Sequence, residues 1–332
     1  MKKGVSKLLF FGILNLIFLM SWVIAFSGLG SGTSASPYQI INCTALSEIT
    51  NSLTSYYILM NDIDCSGIAN FDPIGSCSSL FAGNFDGQGH KITNFKVDTA
   101  SSCAGLFANT SSTARIKNLF IDANVKGATH VGGLVGYNSG SIENCQVISR
   151  GSNFWIKGNA FVGGLVGSNE GYIDGCSVNA NVTCTYTGAG LNNFEGGLIG
   201  FNSGIVRSSS AKGVVNWSGT GSYCQHVGGL IGLMSEAGLA ENCYSTAKVN
   251  LTGTVAGNYV GGLIGYNNGT LRNSYASGNV SGYGKVGGLI GYLGYDNAVV
   301  FISNCFATGN VLKHASGTGL GGLAGEKHSS AS

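Results

Sequence analysis

The sequence predicts an all-β protein, a parallel β-helix or β-solenoid of roughly 30-residue coils with a short N-terminal capping segment. Glycine supplies 55 of the 332 residues and proline only 2, while 44% of the chain is hydrophobic. A short glycine–leucine motif recurs at nearly regular intervals along most of the chain. The segments between its copies are short apolar or alternating runs separated by turn dipeptides, without a helical period.

The composition excludes several classes of protein. Glycine does not fall at every third position, which excludes collagen, and 10% aromatic residues with many aliphatic ones provide a core that disordered chains lack. Only 10% of the residues are charged. Outside the first seven residues, 14 basic and 15 acidic residues nearly balance. A near-neutral body gives no basic footprint, so we expect no nucleic-acid partner.

Residues 1–27 predict a signal peptide or an uncleaved signal anchor. Three lysines in the first seven residues precede an uncharged apolar run, Leu8 to Phe26, which is just long enough to span a bilayer. Ala25-Phe26-Ser27 is a candidate cleavage site. Ten cysteines agree with export to an oxidising compartment. We therefore expect an extracellular or cell-surface protein, either secreted or held by an N-terminal membrane anchor.

A five-residue motif, Gly-Gly-Leu-(Val/Ile/Ala)-Gly, defines the repeat, and its copies follow at intervals of 31, 33, 32, 33, 26 and 34 residues. The leucines of the copies are Leu134, Leu165, Leu198, Leu230, Leu263, Leu289 and Leu323. A second block, Ile-x-Asn-Cys or a variant of it, places a small residue after each motif, at Cys145, Cys176, Ser209, Cys243, Ser274 and Cys305. Roughly 30 residues make one solenoid coil of three short strands and three turns, whereas a propeller blade needs about 40.

The domain boundaries follow from the extent of the repeat. Residues 28–40 form a leader, 41–110 an N-terminal cap with the first coils, 111–325 the repeat solenoid and 326–332 a polar tail. Leu46, Ile49 and Leu53 recur at helical spacing. An end coil must be covered to prevent edge pairing, so we expect these residues in the cap.

These residues resemble a known family. Gly-Gly-Leu-(Val/Ile)-Gly followed by Asn-x-Gly and Ile-x-Asn-Cys is similar to the GLUG-motif repeat of bacterial and archaeal surface proteins and adhesins. The segments Ser36–Ile40, Tyr57–Asp64 and Phe81–His90 resemble the usual entry to such repeats. The resemblance covers roughly residues 36 to 325 and implies a β-solenoid on a cell-surface protein, with no catalytic residues carried over. Leu233-Met234 departs from the Tyr-Asn or Phe-Asn of other coils, which predicts a locally altered turn.

Four aspartates form the acidic cluster of the chain: Asp62, Asp64, Asp72 and Asp86. Asp62 and Asp64 share a strand face, as calcium ligands would. A calcium loop of fixed spacing is absent, so we favour bonds from these carboxylates to local backbone amides. The sequence therefore predicts no metal site and no cofactor.

The cysteines divide into two groups. Those in the Ile-x-Asn-Cys block alternate with serine, so we interpret that position as one requiring a small side chain. Cys77 and Cys103 each stand four residues before a phenylalanine, at equivalent points of successive coils, and predict a disulfide. Cys43 with Cys65, and Cys184 with Cys224, are the remaining candidate pairs.

The sequence favours a non-catalytic protein that acts in adhesion or as a structural scaffold. No catalytic motif occurs, and the alternative, a β-helix polysaccharide lyase or hydrolase, needs ionisable groups in one groove. Only the region from Asp62 to Asp86, with His90 and Lys91, approaches that. We expect surface glycans or proteins as partners, contacted by exposed tyrosine and asparagine at the repeat turns. The position three residues after the motif leucine is aromatic in several coils, at Tyr137, Phe201, Tyr266 and Tyr292. Instead of contacting a ligand, these rings could form a ladder that stabilises the stack, which is the competing interpretation.

The C-terminal Gly321–Gly325 opens a further copy of the repeat that the following residues do not complete. An uncapped end presents unpaired strand groups. We therefore expect either a fragment of a longer surface protein or self-association through this end. In a third interpretation, Glu326 and Lys327 form a minimal polar cap.

Overall fold

The computed structural model describes residues 26–149, 155–185, 193–217, 225–252, 258–294, 300–314 and 319–328. It is a parallel β-solenoid of about eight coils of about 31 residues, as the sequence predicts. Each strand pairs in parallel with the equivalent strand of the next coil, and four sheets run along the axis. Residues 1–25 of the signal or anchor predicted at 1–27, and the last four residues of the tail, lie outside the described residues. No described helix is long and apolar enough to cross a membrane.

The strands of each sheet are given in chain order. Sheet 1 comprises Tyr38–Ile40, Tyr56–Leu59, Asn84–Asp86, Arg115–Lys117, Ser141–Glu143, Tyr172–Asp174, Ile205–Arg207, Leu239–Glu241, Thr270–Arg272 and Ile302–Ser303. Sheet 2 comprises Ile63–Asp64, Lys91–Asp98, Phe120–Lys126, Gln146–Ile148, Ile156–Gly158, Ser177–Cys184, Ser210–Trp217, Tyr244–Ser245, Lys248–Leu251, Tyr275–Ala276, Val280–Gly282, Phe306–Ala307 and Val311–Lys313. Sheet 3 comprises Cys103–Ala104, His130–Gly132, Phe161–Gly163, Asn193–Gly196, Gln225–Gly228, Tyr259–Gly261, Lys285–Gly287 and Gly319–Gly321. Sheet 4 comprises Phe107–Thr110, Val135–Asn138, Val166–Asn169, Ile199–Asn202, Ile231–Met234, Ile264–Asn267, Ile290–Leu293 and Ala324–Lys327.

The prediction of three strands per coil is wrong. The repeat motif lies between two strands, one in sheet 3 and one in sheet 4. In each repeat the strand of sheet 3 precedes the motif leucine and the strand of sheet 4 follows it. A Cβ atom on Gly132 would collide with the backbone oxygens of Val135 and Leu165, so only glycine permits this close arch. The chain therefore folds back within the motif, and each full turn of the solenoid contributes strands to four sheets, with two strands in sheet 2 in several coils.

The cap covers the N-terminal end of the stack with a short helical segment. An α-helix spans Cys43–Ser47 and a 3-10 helix spans Glu48–Asn51. The Asn42 side chain caps the first helix by accepting a hydrogen bond from the Ala45 amide at 2.8 Å. Leu46 and Ile49 are fully buried against the first coil. The helical spacing predicted from these apolar residues is thus present for Leu46 and Ile49, whereas Leu53 follows the 3-10 helix in a turn and is only partly buried.

The interior is built from columns of like residues, one from each coil. The motif leucines before Leu323 are all fully buried. The valines three residues before these leucines, such as Val131 and Val162, form a second buried column in direct register. Burying a leucine or valine side chain contributes about 1.5 to 3 kcal/mol, so these columns supply the main driving force for stacking.

A ladder of buried asparagines lies at the turn from sheet 4 to sheet 1. The Asn138 amide nitrogen donates to Asn169 Oδ1 at 2.8 Å, and Asn169 donates to Asn202 Oδ1 at 2.8 Å. Each side chain also bonds the backbone two residues on, as Asn138 does with Gly140. All three asparagines are fully buried. The expectation that these turn asparagines are exposed for ligand contact is therefore wrong, because they satisfy the turn and one another.

Met234 interrupts this ladder, as the departure at Leu233-Met234 predicts. Its strand keeps the register, with Met234 paired to Asn202 and Asn267. The following turn is longer, and Gly238 lies where a Cβ would meet the Met234 side chain. Asn267 is fully buried, yet its amide nitrogen has no hydrogen-bond partner within the described residues. The altered turn thus leaves one rung of the ladder incomplete.

The cysteine and serine column at the turn from sheet 1 to sheet 2 is more than a small-residue position. The Ser209 hydroxyl donates to the Arg207 carbonyl at 2.6 Å and accepts from the Cys176 amide at 3.1 Å. The Cys176 thiol makes the same pair of contacts, with the Asp174 carbonyl and the Cys145 amide. The interpretation from size alone is incomplete, because the side chain links two coils as donor and acceptor.

Two disulfides join the first coils, and both were predicted from the sequence. Cys43 and Cys65 are bonded with a Cα–Cα distance of 5.3 Å, and Cys77 and Cys103 with 5.5 Å. Both distances lie in the usual range for disulfides. The third candidate pair, Cys184 with Cys224, stays a prediction because Cys224 lies outside the described residues.

Asn169→Ala removes one rung of the asparagine ladder. We expect it to lower the free energy of unfolding by about 2 to 4 kcal/mol, because Asn138 and Asn202 each lose a buried hydrogen bond. Urea denaturation measures the change. Asn179→Ala is the matched control, since Asn179 is exposed on sheet 2 and its replacement should cost less than about 0.5 kcal/mol. Equal losses for the two variants would contradict a structural role for the ladder.

Candidate functional site

The outer face of sheet 1 carries a column of charged side chains along the solenoid axis. We call it the charge column, and in coil order its residues are Asp86, Lys117, Glu143, Asp174, Arg207, Glu241 and Arg272. Each is in direct register with the next. Only 10% of the chain is charged, so seven such residues in one column mark this face as distinct from the rest of the surface.

The charges of the column are partly paired within the chain. Lys117 Nζ lies 3.2 Å from Asp86 Oδ2, and Arg207 Nε lies 3.2 Å from Glu241 Oε2. The Lys117 and Arg207 side chains remain 50% and 44% exposed, so these ion pairs are accessible to a ligand. Exposed pairs of this kind add little stability, about 0 to 1 kcal/mol each. The ion pairs of the column therefore contribute little to the stability of the fold, and their exposed side chains are available for binding.

The centre of the column differs from its ends, because two carboxylates are adjacent there. The Ser141 hydroxyl donates to Glu143 Oε1 at 2.6 Å, and the Tyr172 hydroxyl donates to Asp174 Oδ2 at 3.1 Å. The second oxygen of Asp174 is buried and has no partner within the described residues. At the centre these hydroxyl groups are the hydrogen-bond partners of the carboxylates, whereas towards the two ends the carboxylates pair with basic side chains.

Two clefts adjoin the charge column. One of about 380 Å³ lies at its N-terminal end, between Tyr56, Asn84, Arg115, Lys117 and Glu143. The other, of about 470 Å³, follows the neighbouring turns and is lined by residues that include Gly140, Gly171, Tyr172, Gly204 and Ile205. Both run beside sheet 1, so an elongated ligand along the axis would contact the column and the clefts together.

Sequence reasoning missed this face. It identified only the region from Asp62 to Asp86 as approaching a charged groove. The signal was present in the repeat itself, because the variable residue of each Ile-x-Asn-Cys block is charged in the coils from Glu143 to Arg272. Alignment of the repeats by their cysteine would have revealed it.

Asp62 and Asp64 of the acidic cluster accept backbone amide bonds, as favoured from the sequence. Of these two bonds, only the one from Ser66 to Asp64 is local, whereas Asp62 bonds Lys91 in the next coil. Asp62 accepts from the Lys91 amide at 3.0 Å, and Asp64 accepts from Asn94 at 2.8 Å and from the Ser66 amide at 2.9 Å. The Lys91 amide bond is the main cause that lowers the pKa of Asp62, and the Asn94 bond is the main cause for Asp64. Neither carboxylate reaches Asp86, which lies in the charge column.

The pKa of Asp86 reflects opposing effects. Its burial raises the pKa, but bonds from the Gln88 amide, Asn118 and Lys117 outweigh that effect and lower it overall. Asp72 is exposed on the surface. Within the described part of the chain, no three histidine, cysteine, aspartate or glutamate residues are grouped so that they could hold a metal ion.

The aromatic position expected to contact glycans is largely buried. Tyr266 and Tyr292 are only 8% and 7% exposed, and their ring centroids are 5.6 Å apart in a stacked arrangement. Burial is the main cause that raises the pKa of Tyr137 to about 12. These rings pack against a second aromatic column that the sequence analysis missed, which consists of His130, Phe161, Phe194, His226 and Tyr259. The competing interpretation, a ladder that stabilises the stack, describes this arrangement.

The second aromatic column ends in a cation. Lys285 follows Tyr259 in sheet 3, and its Nζ lies 4.3 Å from the centroid of the Tyr292 ring and 2.8 Å from Glu326 Oε1. A cation over a tyrosine face is attractive. The aromatic faces are thus occupied by neighbouring rings and by Lys285, which leaves little ring surface for a sugar.

The last described coil exposes positions that are buried in the other coils. Leu320 and Leu323 are 55% and 50% exposed. Phe306, whose position on sheet 2 is also exposed or half-exposed in the other coils, stacks on Tyr275 at 5.0 Å and is 52% exposed. These residues form an apolar edge beside the outermost strands of the sheets. Self-association through this end stays a prediction.

Glu195 is the one acidic residue within the described part of the buried valine column. It pairs in register with Val162 and Val227 and is fully buried. Neither carboxylate oxygen has a hydrogen-bond partner with good geometry among the described residues. Burial raises the pKa of Glu195 well above its usual value, and the backbone of Cys184 opposes this only in part. Its surroundings therefore disfavour the charged form of the side chain.

A family model confirms the resemblance found in the sequence. The GLUG motif matches residues 127–149 and 256–281. Each match includes the Gly-Gly-Leu arch from sheet 3 to sheet 4 and the turn that follows it. The chain thus carries GLUG-motif repeats at two places along the solenoid.

Two relatives share part of the sequence. Halomucin of Haloquadratum walsbyi is 35% identical over 129 residues, which cover 35% of this chain and 1% of halomucin. A protein of Evansella cellulosilytica with the provisional name Gly-rich membrane protein is 35% identical over 130 residues, which cover 36% of this chain and 15% of that protein. The matches span only a small part of both relatives.

Two solved structures share the fold. A Bacteroides ovatus protein, provisionally described as an immunoglobulin A1 protease, superimposes with a TM-score of 0.53 and 21% identity over 89% of this chain and 86% of its own. A second structure, named IgA1 protease, gives a TM-score of 0.54 and 17% identity over 88% of this chain and 21% of its own. At these identities the likeness establishes the β-helix fold alone.

Glu195→Gln is expected to change how stability depends on pH. The raised pKa means that the folded state keeps a proton that the unfolded state releases above the ordinary glutamate pKa. The free energy of unfolding of the wild type should therefore fall as the pH rises from about 4.5, by up to about 1.4 kcal/mol per pH unit. In Glu195→Gln this loss should disappear.

Urea denaturation at a series of pH values measures the effect. Glu236→Gln is the matched control, because Glu236 is exposed and its removal should leave the pH dependence unchanged. If Glu195→Gln retained the slope of the wild type, the buried carboxyl would not be the cause.

Proposed function

We propose that this chain is a non-catalytic repeat module of an exported cell-surface protein, acting in adhesion or as a structural scaffold. The observation that carries the proposal is the charge column, which presents ionised groups at equal spacing along a rigid sheet. A periodic surface suits an extended partner, because each coil offers one more contact to the same chain. Glycans and proteins at cell surfaces are partners of this kind.

The distribution of ionisable groups supports binding over catalysis. General acid–base chemistry needs a positioned acid and base on either side of one reacting bond. In the charge column the groups extend along the axis, and those at its ends neutralise one another, as Lys117 does with Asp86. Glu143 and Asp174 are adjacent on the same face, and their nearest polar partners are Ser141 and Tyr172.

Export and surface location belong to the same proposal. Disulfides such as Cys43–Cys65 form in oxidising compartments. The signal expected at residues 1–27 supplies the route, and one relative is named as a membrane protein. The proposal therefore places this chain outside the cytoplasm, as a secreted or anchored protein.

A glycan array with the purified exported chain tests the adhesive function. We expect binding that weakens as the salt concentration rises, since the exposed charges are screened. The variant Arg115→Ala/Arg207→Ala should bind at least about threefold more weakly, because it removes one cation from the cleft and one from the column. Lys248→Ala, an exposed cation on sheet 2, is the control.

The same polysaccharides should be incubated with the protein and analysed for shortened or unsaturated products. We expect no turnover. Release of products that Glu143→Gln/Asp174→Asn abolishes would favour the β-helix lyase or hydrolase instead. A protein that binds no glycan and no surface protein, yet changes the integrity of the cell envelope when deleted, would favour the scaffold role.

A further inference from the structure

The signs of the charge column are antisymmetric about its centre. Asp174 is the fourth of the seven residues. The residues one coil away from it are Glu143 and Arg207, those two coils away are Lys117 and Glu241, and those three coils away are Asp86 and Arg272. In every pair the two residues have opposite charge. Reversing the column therefore gives its electrostatic complement.

A two-fold axis converts this pattern into contacts between two copies. If the axis is parallel to the strands and passes over Asp174, the second copy lies face to face with its coils stacked in the opposite direction. Glu143 then faces the second copy's Arg207, and Lys117 faces its Glu241. Because parallel strands repeat at about 4.7–4.9 Å in both copies, the register holds along the whole column. Each of these contacts occurs twice, as in any isologous interface.

We infer that sheet 1 is a self-association face, on which a second copy of this chain binds antiparallel through the charge column. The inference concerns the same charge column as the proposed function and assigns a second copy of the chain as its occupant. Stacking in the same direction would place like charges opposite one another, so the pattern selects one orientation. Asp174 meets its own counterpart on the axis and is the one like-charge contact in the column.

The exposed side chains of the column are suited to this contact. Lys117 and Arg207 are about half exposed, while their ion-pair partners Asp86 and Glu241 are 27% and 25% exposed. In the pair of copies, each of these ion pairs gains a neighbouring charge of the appropriate sign. Ile205, which is 37% exposed beside the column, is also covered.

The size of the face sets the expected affinity. Seven strands at about 4.8 Å extend over roughly 30 Å, and each strand is only three residues long. Such an area lies at the low end for protein interfaces, so the association is weak and transient. Because the contacts are ionic and exposed, rising salt dissociates the pair.

Contacts within one chain are the competing explanation of the alternating charges. The double charge reversal Lys117→Glu/Glu241→Lys separates the two explanations. Within one chain it places a carboxylate between Asp86 and Glu143, and an ammonium group between Arg207 and Arg272, so every local contact of the two replaced side chains becomes unfavourable. Between two antiparallel copies it restores opposite charges at both positions.

Sedimentation velocity over a concentration series, at low and high salt, is the measurement. We expect the wild type to associate at low salt, each single reversal to weaken association by roughly tenfold or more, and the double reversal to recover it. Lys248→Glu, which makes the same charge change on sheet 2, should associate like the wild type. Thermal unfolding of each variant confirms that the solenoid is folded before association is compared.

Asp174→Asn gives an independent check. It removes the like-charge contact on the two-fold axis, so association should become severalfold tighter. A wild type that stays monomeric at low salt overturns the inference and assigns the column to a different partner. A double reversal that associates no better than the single variants overturns it as well, because the charges would then act within one chain.

Discussion

Parallel stacking in register constrains every other feature of this protein. Each side chain lies about 4.7–4.9 Å from its equivalent in the next coil, so a residue is surrounded mainly by copies of its own position. A position therefore works only if its residue type tolerates itself as a neighbour. Leucine and valine satisfy this by burial, and asparagine does so because one amide group both donates and accepts. Cysteine and serine satisfy it through a side chain that bonds one coil to the next.

The exceptions show how strict this constraint is. Met234 is fully buried but has no amide group to join Asn202, and the ladder stops there. Glu195 replaces a valine and brings a carboxyl group into an apolar column, where its charge is not tolerated. Charged residues avoid this difficulty on the outer face of sheet 1, because water screens them and opposite signs alternate along much of the column.

The same constraint separates fold from function. A stack that stabilises itself through inward columns leaves the outward residues free to vary, so one β-helix can carry very different surfaces. The solved structures with this fold are named as proteases, whereas the partly matching relatives are named halomucin and Gly-rich membrane protein. The charge column occupies such outward positions, and neither the coil length nor the leucine core determines it.

The sequence by itself determined the coil length, the buried leucines, the helical cap and the two disulfides, because each follows from spacing along the chain and from the requirement that equivalent residues stack. Only the tertiary structure decided which side of each turn faces inward. It buried the asparagines that were expected outside, distributed each coil over four sheets by way of the Gly-Gly arch, and aligned charges from separate repeats into one column. The physical reason is that a period fixes which residues are neighbours, whereas the direction of a side chain at a turn depends on the path of the backbone through three dimensions.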